Sequence, residues 1–135
     1  MLYEYRLCAV VTVLVYALNA RSGVAVGMAR EKHNVPVPQT KGPPEFDRVF
    51  RAHANNAEQY PQFVALMWVF AAYVHADAAG AMGLVWIVLR HFYTTAYHKG
   101  DHIQKYTLPA YLILSCYAVG ILGVVGWSYV QDFLM

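Results

Sequence analysis

The chain has 135 residues, of which 59% are hydrophobic and only 13% charged, with a formal net charge of +2 and a mean hydropathy of +0.34. Soluble domains carry about a quarter of their residues charged, so the polar surface that a soluble globule needs is missing. The small net charge and the absence of any Lys/Arg-rich run exclude a nucleic-acid binder, and the length fits one domain.

Four apolar segments follow one another, each able to approach the roughly 20 residues that cross a hydrocarbon core. The first runs from about Leu2 to Ala29. Its Leu7–Leu18 stretch has the length of a signal-peptide core, but Glu4 beside Arg6 and the lack of a small-residue cleavage pattern predict a retained span. Asn19 and Arg21 interrupt its second half, so it is not lipid-facing throughout. A polar, proline-rich stretch from Lys32 to Pro44 then predicts a loop.

The second segment extends over 45–75, and only Phe63–Val74 is strongly apolar. Pro61 inside it removes a backbone hydrogen bond and predicts a kink. His75-Ala76-Asp77 is a short turn into the third segment, 78–97. His98-Lys99-Gly100-Asp101-His102 connects to the fourth, 108–130, whose Trp127 and Tyr129 fit an interfacial aromatic belt. Unbroken apolar runs without alternation exclude a β-barrel. The predicted fold is therefore an all-α membrane protein, a four-helix transmembrane bundle with up-down-up-down topology.

Arg30, Lys32, Lys41, Arg48 and Arg51 surround the first connection, and Lys99 and Lys105 the third, against Arg6 near the N-terminus. The bias of Lys and Arg toward cytoplasmic loops predicts both connections on the cytoplasmic side and both termini opposite. Cys8 and Cys116 lie in apolar stretches and are expected to be packed thiols rather than a disulfide.

The chemistry is concentrated on the second segment. Arg48, Arg51, Asn55 and Glu58 are spaced three, four and three apart, which places them on one helix face. Arg90, Tyr93 and Tyr97 repeat the pattern on the third segment. Ionisable groups at membrane depth are costly unless paired or facing a polar cavity. Spacing alone leaves two readings open: a network that fixes helix packing, or a ligand site. Arg30, Arg48, Arg51 and Arg90 outnumber Glu58, and this surplus of positive charge favours an anionic ligand held by planar guanidinium forks. The six histidines show no ligand spacing with Cys or carboxylates, so no metal is expected.

The run Gly42-Pro43-Pro44-Glu45-Phe46-Asp47-Arg48-Val49-Phe50-Arg51-Ala52-His53-Ala54-Asn55, followed by Glu58 and Pro61, resembles the signature of the MAPEG family, membrane-associated proteins in eicosanoid and glutathione metabolism. The resemblance continues through Gly83-Leu84-Val85-Trp86 and Arg90-His91-Phe92-Tyr93 to Tyr97, and covers essentially the whole chain.

It implies a homotrimer with glutathione as co-substrate between neighbouring subunits near the cytoplasmic face. By position, Arg51 would hold a glutathione carboxylate, and Asn55 and Glu58 its polar backbone and amino group. Tyr93 and Tyr97 would complete the pocket, with Arg30 from the adjacent subunit. His53 replaces a common Gln or Asn and would keep a hydrogen bond to the neighbour's ligand, whereas Gln59 stands where Tyr is frequent. Gln104 occupies the place of an arginine that activates the thiol in part of the family, and the adjacent Lys105 is the substitute cation.

The implied activity is glutathione S-transfer to a hydrophobic electrophile in contact with membrane lipid. Peroxidase action on lipid hydroperoxides and leukotriene-C synthesis are related outcomes of one thiolate. The alternative is a non-catalytic lipid-presenting or structural subunit of the same family. The endoplasmic reticulum membrane is the expected location, and the mitochondrial outer membrane the second.

Overall fold

The computed structural model describes residues 3–135, and among them four helices account for nearly all of the chain: α1 (Arg6–His33), α2 (Pro44–Tyr73), α3 (Ala76–Lys99) and α4 (Gln104–Leu134). The expected start of the first segment at Leu2 lies outside the described residues. All four helices overrun the apolar segments at one end or both, because hydropathy marks burial in lipid while capping chemistry marks the end of a helix.

The ends show this directly. α1 continues through the polar run Arg30-Glu31-Lys32-His33 and stops where Asn34 turns left-handed at φ 53°, its N–H returning to the Arg30 and Glu31 carbonyls. Such a left-handed residue satisfies the carbonyls that a helix C-terminus leaves open. α2 opens on Pro44, a residue whose missing N–H costs nothing at a first helical position. Glu45 and Asp47 sit in that first turn, favourable against the positive helix end, and the Gly42 N–H donates to Asp47 Oδ1 at 2.8 Å. α3 ends at Gly100 with φ 77°, a conformation open to glycine at little cost. α4 begins at Gln104, four residues before the apolar run, with the Thr107 N–H and hydroxyl both donating to the Ile103 carbonyl at 3.0 Å. Pro61 lies within α2 without ending it.

α2 and α3 touch each other and both outer helices, whereas α1 and α4 do not meet. The core therefore follows the α2–α3 seam. Phe63 stacks on Trp86 with ring centroids 3.8 Å apart, and Tyr117 of α4 closes over Phe63 and Phe70. Tyr117 donates its hydroxyl to the Ala79 carbonyl at 2.7 Å, which satisfies the one polar atom of a buried ring. Glycine lets α1 approach α3: a Cβ on Gly80 would stand 2.6 Å from Leu7 Cβ. Small residues at helix contacts are the usual means of close association in a bilayer.

α1 and α4 are long and apolar enough to cross a membrane. α4 exposes Leu108, Leu112, Val119, Leu122, Trp127 and Tyr129, an apolar surface that water would not tolerate and lipid does. Cys8 is buried as expected and its thiol faces the Ala76 carbonyl at 3.5 Å. Cys116 corrects the expectation of two packed thiols: it is exposed on α4, because the apolar stretch that holds it turns most of its surface outward.

Candidate functional site

The polar residues of α2 and α3 separate into two groups with different chemistry. The first is closed off inside the bundle and largely partnered there, with Arg90 Nε and Trp86 Nε1 left buried without a partner. Arg90 is 2% exposed, and its guanidinium donates to Asn56 Oδ1 and, at 3.3 Å, to the Asn55 carbonyl. Asn56 Nδ2 in turn donates to Thr94 Oγ1 at 2.8 Å, and Thr94 donates to the Arg90 carbonyl at 2.9 Å. Trp86 and Tyr93 flank the cation, whose carbon lies 5.6 and 4.2 Å from their ring centroids. Arg90 is thus a packing residue. It keeps its charge through amide partners and aromatic faces, and has no direct path to a ligand.

The second group is open only at its two ends, Arg51 and Glu58. Asn55 Nδ2 donates to the Tyr93 hydroxyl at 2.9 Å, joining α2 to α3, and Tyr97 lies one turn on with its ring centroid 5.6 Å from that of Tyr93. Arg51, one turn before Asn55, and Glu58, one turn after it, are both exposed. Among the described residues the only ion pair is Arg48 with Glu45 at 3.8 Å. Arg51 and Glu58 therefore do not neutralise each other, as their separation of two helical turns requires. Exposed Arg51 and Glu58, with half-buried Asn55 and Tyr97 between α2 and α3 and Tyr93 buried against Asn55, form a surface for a zwitterionic, multiply hydrogen-bonding ligand.

This arrangement corrects the expected surplus of buried positive charge. Arg90 alone of the four arginines is buried. Arg30 is half-buried and held by its own loop, donating to the Val35, Pro36 and Gln39 carbonyls and lying 5.4 Å from the Phe46 ring centroid. Arg48 Nε donates to the His98 carbonyl at 3.1 Å, which ties α2 to the carbonyl end of α3. Beside it, Arg48, Tyr97, Gly100, Asp101 and Ile103 line a depression of about 200 Å³ that leads to the start of α4. Gln104 and Lys105 are exposed there, with Lys105 Nζ 5.0 Å from the Tyr106 ring centroid.

His53 is not grouped with Asn55 and Tyr93. It faces α1, with Nδ1 2.7 Å from Ser22 Oγ. Gln59 donates to the Tyr111 hydroxyl, linking α2 to α4, and leaves its Oε1 buried without a partner. Asn56, Thr94 and Tyr111 are the residues that spacing does not reveal. Asn55 and Asn56 are neighbours in sequence, and only packing decides which of them turns inward.

The MAPEG family sequence profile matches residues 7–128. Leukotriene C4 synthase of Cavia porcellus is 38% identical over 125 residues, covering 89% of this chain and 83% of that protein. Leukotriene C4 synthase of Rattus norvegicus is 36% identical over 124 residues, covering 88% and 83%. Microsomal glutathione S-transferase 2 of Homo sapiens is 33% identical over 130 residues, covering 95% and 88%. The chain belongs to the MAPEG family, and it is a membrane protein.

Proposed function

We propose that this protein is a glutathione S-transferase whose glutathione site is the open polar face of α2 and α3. The observation that carries the reading is the Asn55–Tyr93 hydrogen bond flanked by the exposed, mutually unpaired Arg51 and Glu58. Glutathione offers carboxylates to Arg51 and an amino group to Glu58, with amides between for Asn55, Tyr93 and Tyr97. Relatives named for glutathione transfer and leukotriene C4 synthesis support the assignment.

Lys105 is the proposed activator. A free thiol with a pKa of about 8.5 is mostly protonated at neutral pH, and a nearby cation favours the nucleophilic thiolate. The thiolate attacks an electrophilic carbon of a lipophilic substrate and forms the C–S bond. The electron pair leaves with the departing group or rests on an opened oxygen, which takes up a proton. At a lipid hydroperoxide the same thiolate attacks the terminal oxygen, the O–O bond breaks and the lipid alkoxide leaves and is protonated. A second glutathione then displaces water from the glutathione sulfenic acid to give the disulfide, which is peroxidase activity.

The proposed assembly is a homotrimer of subunits with four up-down-up-down spans. The contacts Trp68–Thr12, Asn55–Tyr93 and Tyr117–Ala79 support the alternation of direction. Arg30 and His53 belong to the neighbour's site in this arrangement, and the loops lie on the cytoplasmic side. The endoplasmic reticulum is the proposed membrane, in keeping with the word microsomal in the name of one relative.

The exposed, neutral Gln104 favours one competing reading, a non-catalytic lipid-presenting subunit. Detergent-purified protein separates the two. The enzyme binds glutathione, shows thiolate absorbance and conjugates a generic electrophile, and a matched hydroperoxide assay reports the peroxidase branch. Absence of both glutathione binding and turnover sinks the proposal and leaves the presenting subunit.

A further inference from the structure

On the α1–α3 side, away from the Asn55–Tyr93 face, two hollows share the residues Leu18, Arg21 and His91. One is a cavity of about 130 Å³ with a mixed lining, reaching past Ser22, Tyr60, Thr94 and Thr95 to His98. The other is a groove of about 460 Å³ walled by Leu14 and Ala17 of α1 and Ile87, Val88 and Phe92 of α3. The cavity that holds the hydroxyls and imidazoles thus meets the apolar groove at Leu18, Arg21 and His91. We propose that this composite site holds one anionic phospholipid of the surrounding bilayer, its phosphate on Arg21 and one acyl chain along the α1–α3 groove.

Charge supplies the first argument. Arg21 is exposed at membrane depth, and among the described residues no carboxylate pairs with it. Its Nη1 lies 3.0 Å from His91 Nδ1. A guanidinium can only donate, so the imidazole nitrogen accepts and the remaining N–H groups of Arg21 stay available. His98 Nε2 is buried in the cavity wall without a partner. Basic pockets between transmembrane helices suit anionic headgroups, and an arginine fork matches phosphate oxygens.

Polarity along the membrane supplies the second. Contacts step up α1 and α3 together, from Cys8 with Ala76 to Arg21 with His91. The groove begins at Leu14 and Ile87, and the cavity ends at Ala25 and His98, a rise of about 16 Å on both helices. The polar end lies toward the helix ends that carry Arg30 and Lys99, and the apolar end toward the middle of the bundle. A leaflet lipid has the same order, headgroup at the loop level and chain toward the midplane. Val88 and Phe92 are 52% and 49% exposed on the groove wall, so a chain can enter from the side.

The proposal rests on the chain lying in a bilayer and does not depend on glutathione chemistry. It is tested by native mass spectrometry of the purified protein in its own oligomeric state, titrated separately with dioleoyl-phosphatidylglycerol, dioleoyl-phosphatidylcholine, oleate and inorganic phosphate. Phosphatidylglycerol is expected to be retained about tenfold better than phosphatidylcholine, and R21Q to remove that preference. V88W, which fills the groove from an exposed position, is expected to cut phosphatidylglycerol retention with Arg21 intact. K32Q, at an exposed cation away from the site, is expected to change nothing. Equal retention of the two phospholipids, or an unchanged preference in R21Q, overturns the proposal. Oleate or phosphate binding with the same dependence on Arg21 also overturns it, assigning the site to a free carboxylate or a free phosphate instead. If R21Q is poorly folded, V88W decides alone, with unchanged retention counting against the site.

Discussion

Arg51 and Lys105 are both exposed cations, yet they are expected to fail differently. A charge-assisted contact between Arg51 and a glutathione carboxylate is worth about 1.5–3 kcal/mol. Arg51→Ala should therefore raise the apparent glutathione constant by roughly 10- to 100-fold, read by titrating glutathione in the conjugation assay. Lys105→Ala should lower turnover while leaving that constant nearly unchanged, with a matching loss of thiolate absorbance. Unaltered turnover in Lys105→Ala places thiol activation elsewhere. Helical spacing puts Arg51, Asn55 and Glu58 on one stripe and Tyr93 and Tyr97 on another, and the Asn55–Tyr93 hydrogen bond joins the two. Spacing leaves Arg90 between packing and ligand binding, since periodicity assigns a face but cannot show that Asn56 accepts from its guanidinium.

At the scale of the helix, Arg90 and Gly80 determine how closely α3 meets its neighbours. Asn56→Ala strips the buried Arg90 of its side-chain acceptor, and losing a hydrogen bond made to a charged group costs about 1.5–3 kcal/mol. Unfolding in detergent should show a loss of that order, and Asn56→Asp, which keeps an acceptor oxygen, should recover part of it. Full stability in Asn56→Ala would mean that Arg90 finds a second acceptor. Gly80→Ala places a methyl against the Leu7 side chain, and overpacking of this kind costs about 1–3 kcal/mol. The expected result is a lower midpoint in thermal unfolding, with no change there refuting the tight α1–α3 contact. Helix order and number followed from the apolar runs. The ends did not, because Asn34, Pro44 and Gly100 act through backbone geometry at positions where hydropathy is silent.

For the whole molecule, the two cysteines offer a test of how the helices are arranged. In detergent, a small apolar mercurial that partitions into the hydrophobic phase should modify Cys116 in the folded protein and reach Cys8 only after unfolding, counted by intact mass. Equal labelling of both would contradict the burial of Cys8 beneath Ala76. The trimer proposed from family membership should appear as three chains in native mass spectrometry or cross-linking. A monomer that binds glutathione fully would remove the need for Arg30 and His53 of a neighbour.

Membrane residence, helical class and family were decided by the sequence itself, because apolar run length and the α2 motif are local properties of the chain. Which polar groups are free was decided only by the tertiary structure. Whether Arg51 stays open while Arg90 closes on Asn56, or His53 turns to Ser22 while Asn55 turns to Tyr93, depends on what the neighbouring helix presents at each level. That is a relation between segments distant in sequence, and a single run of residues does not carry it.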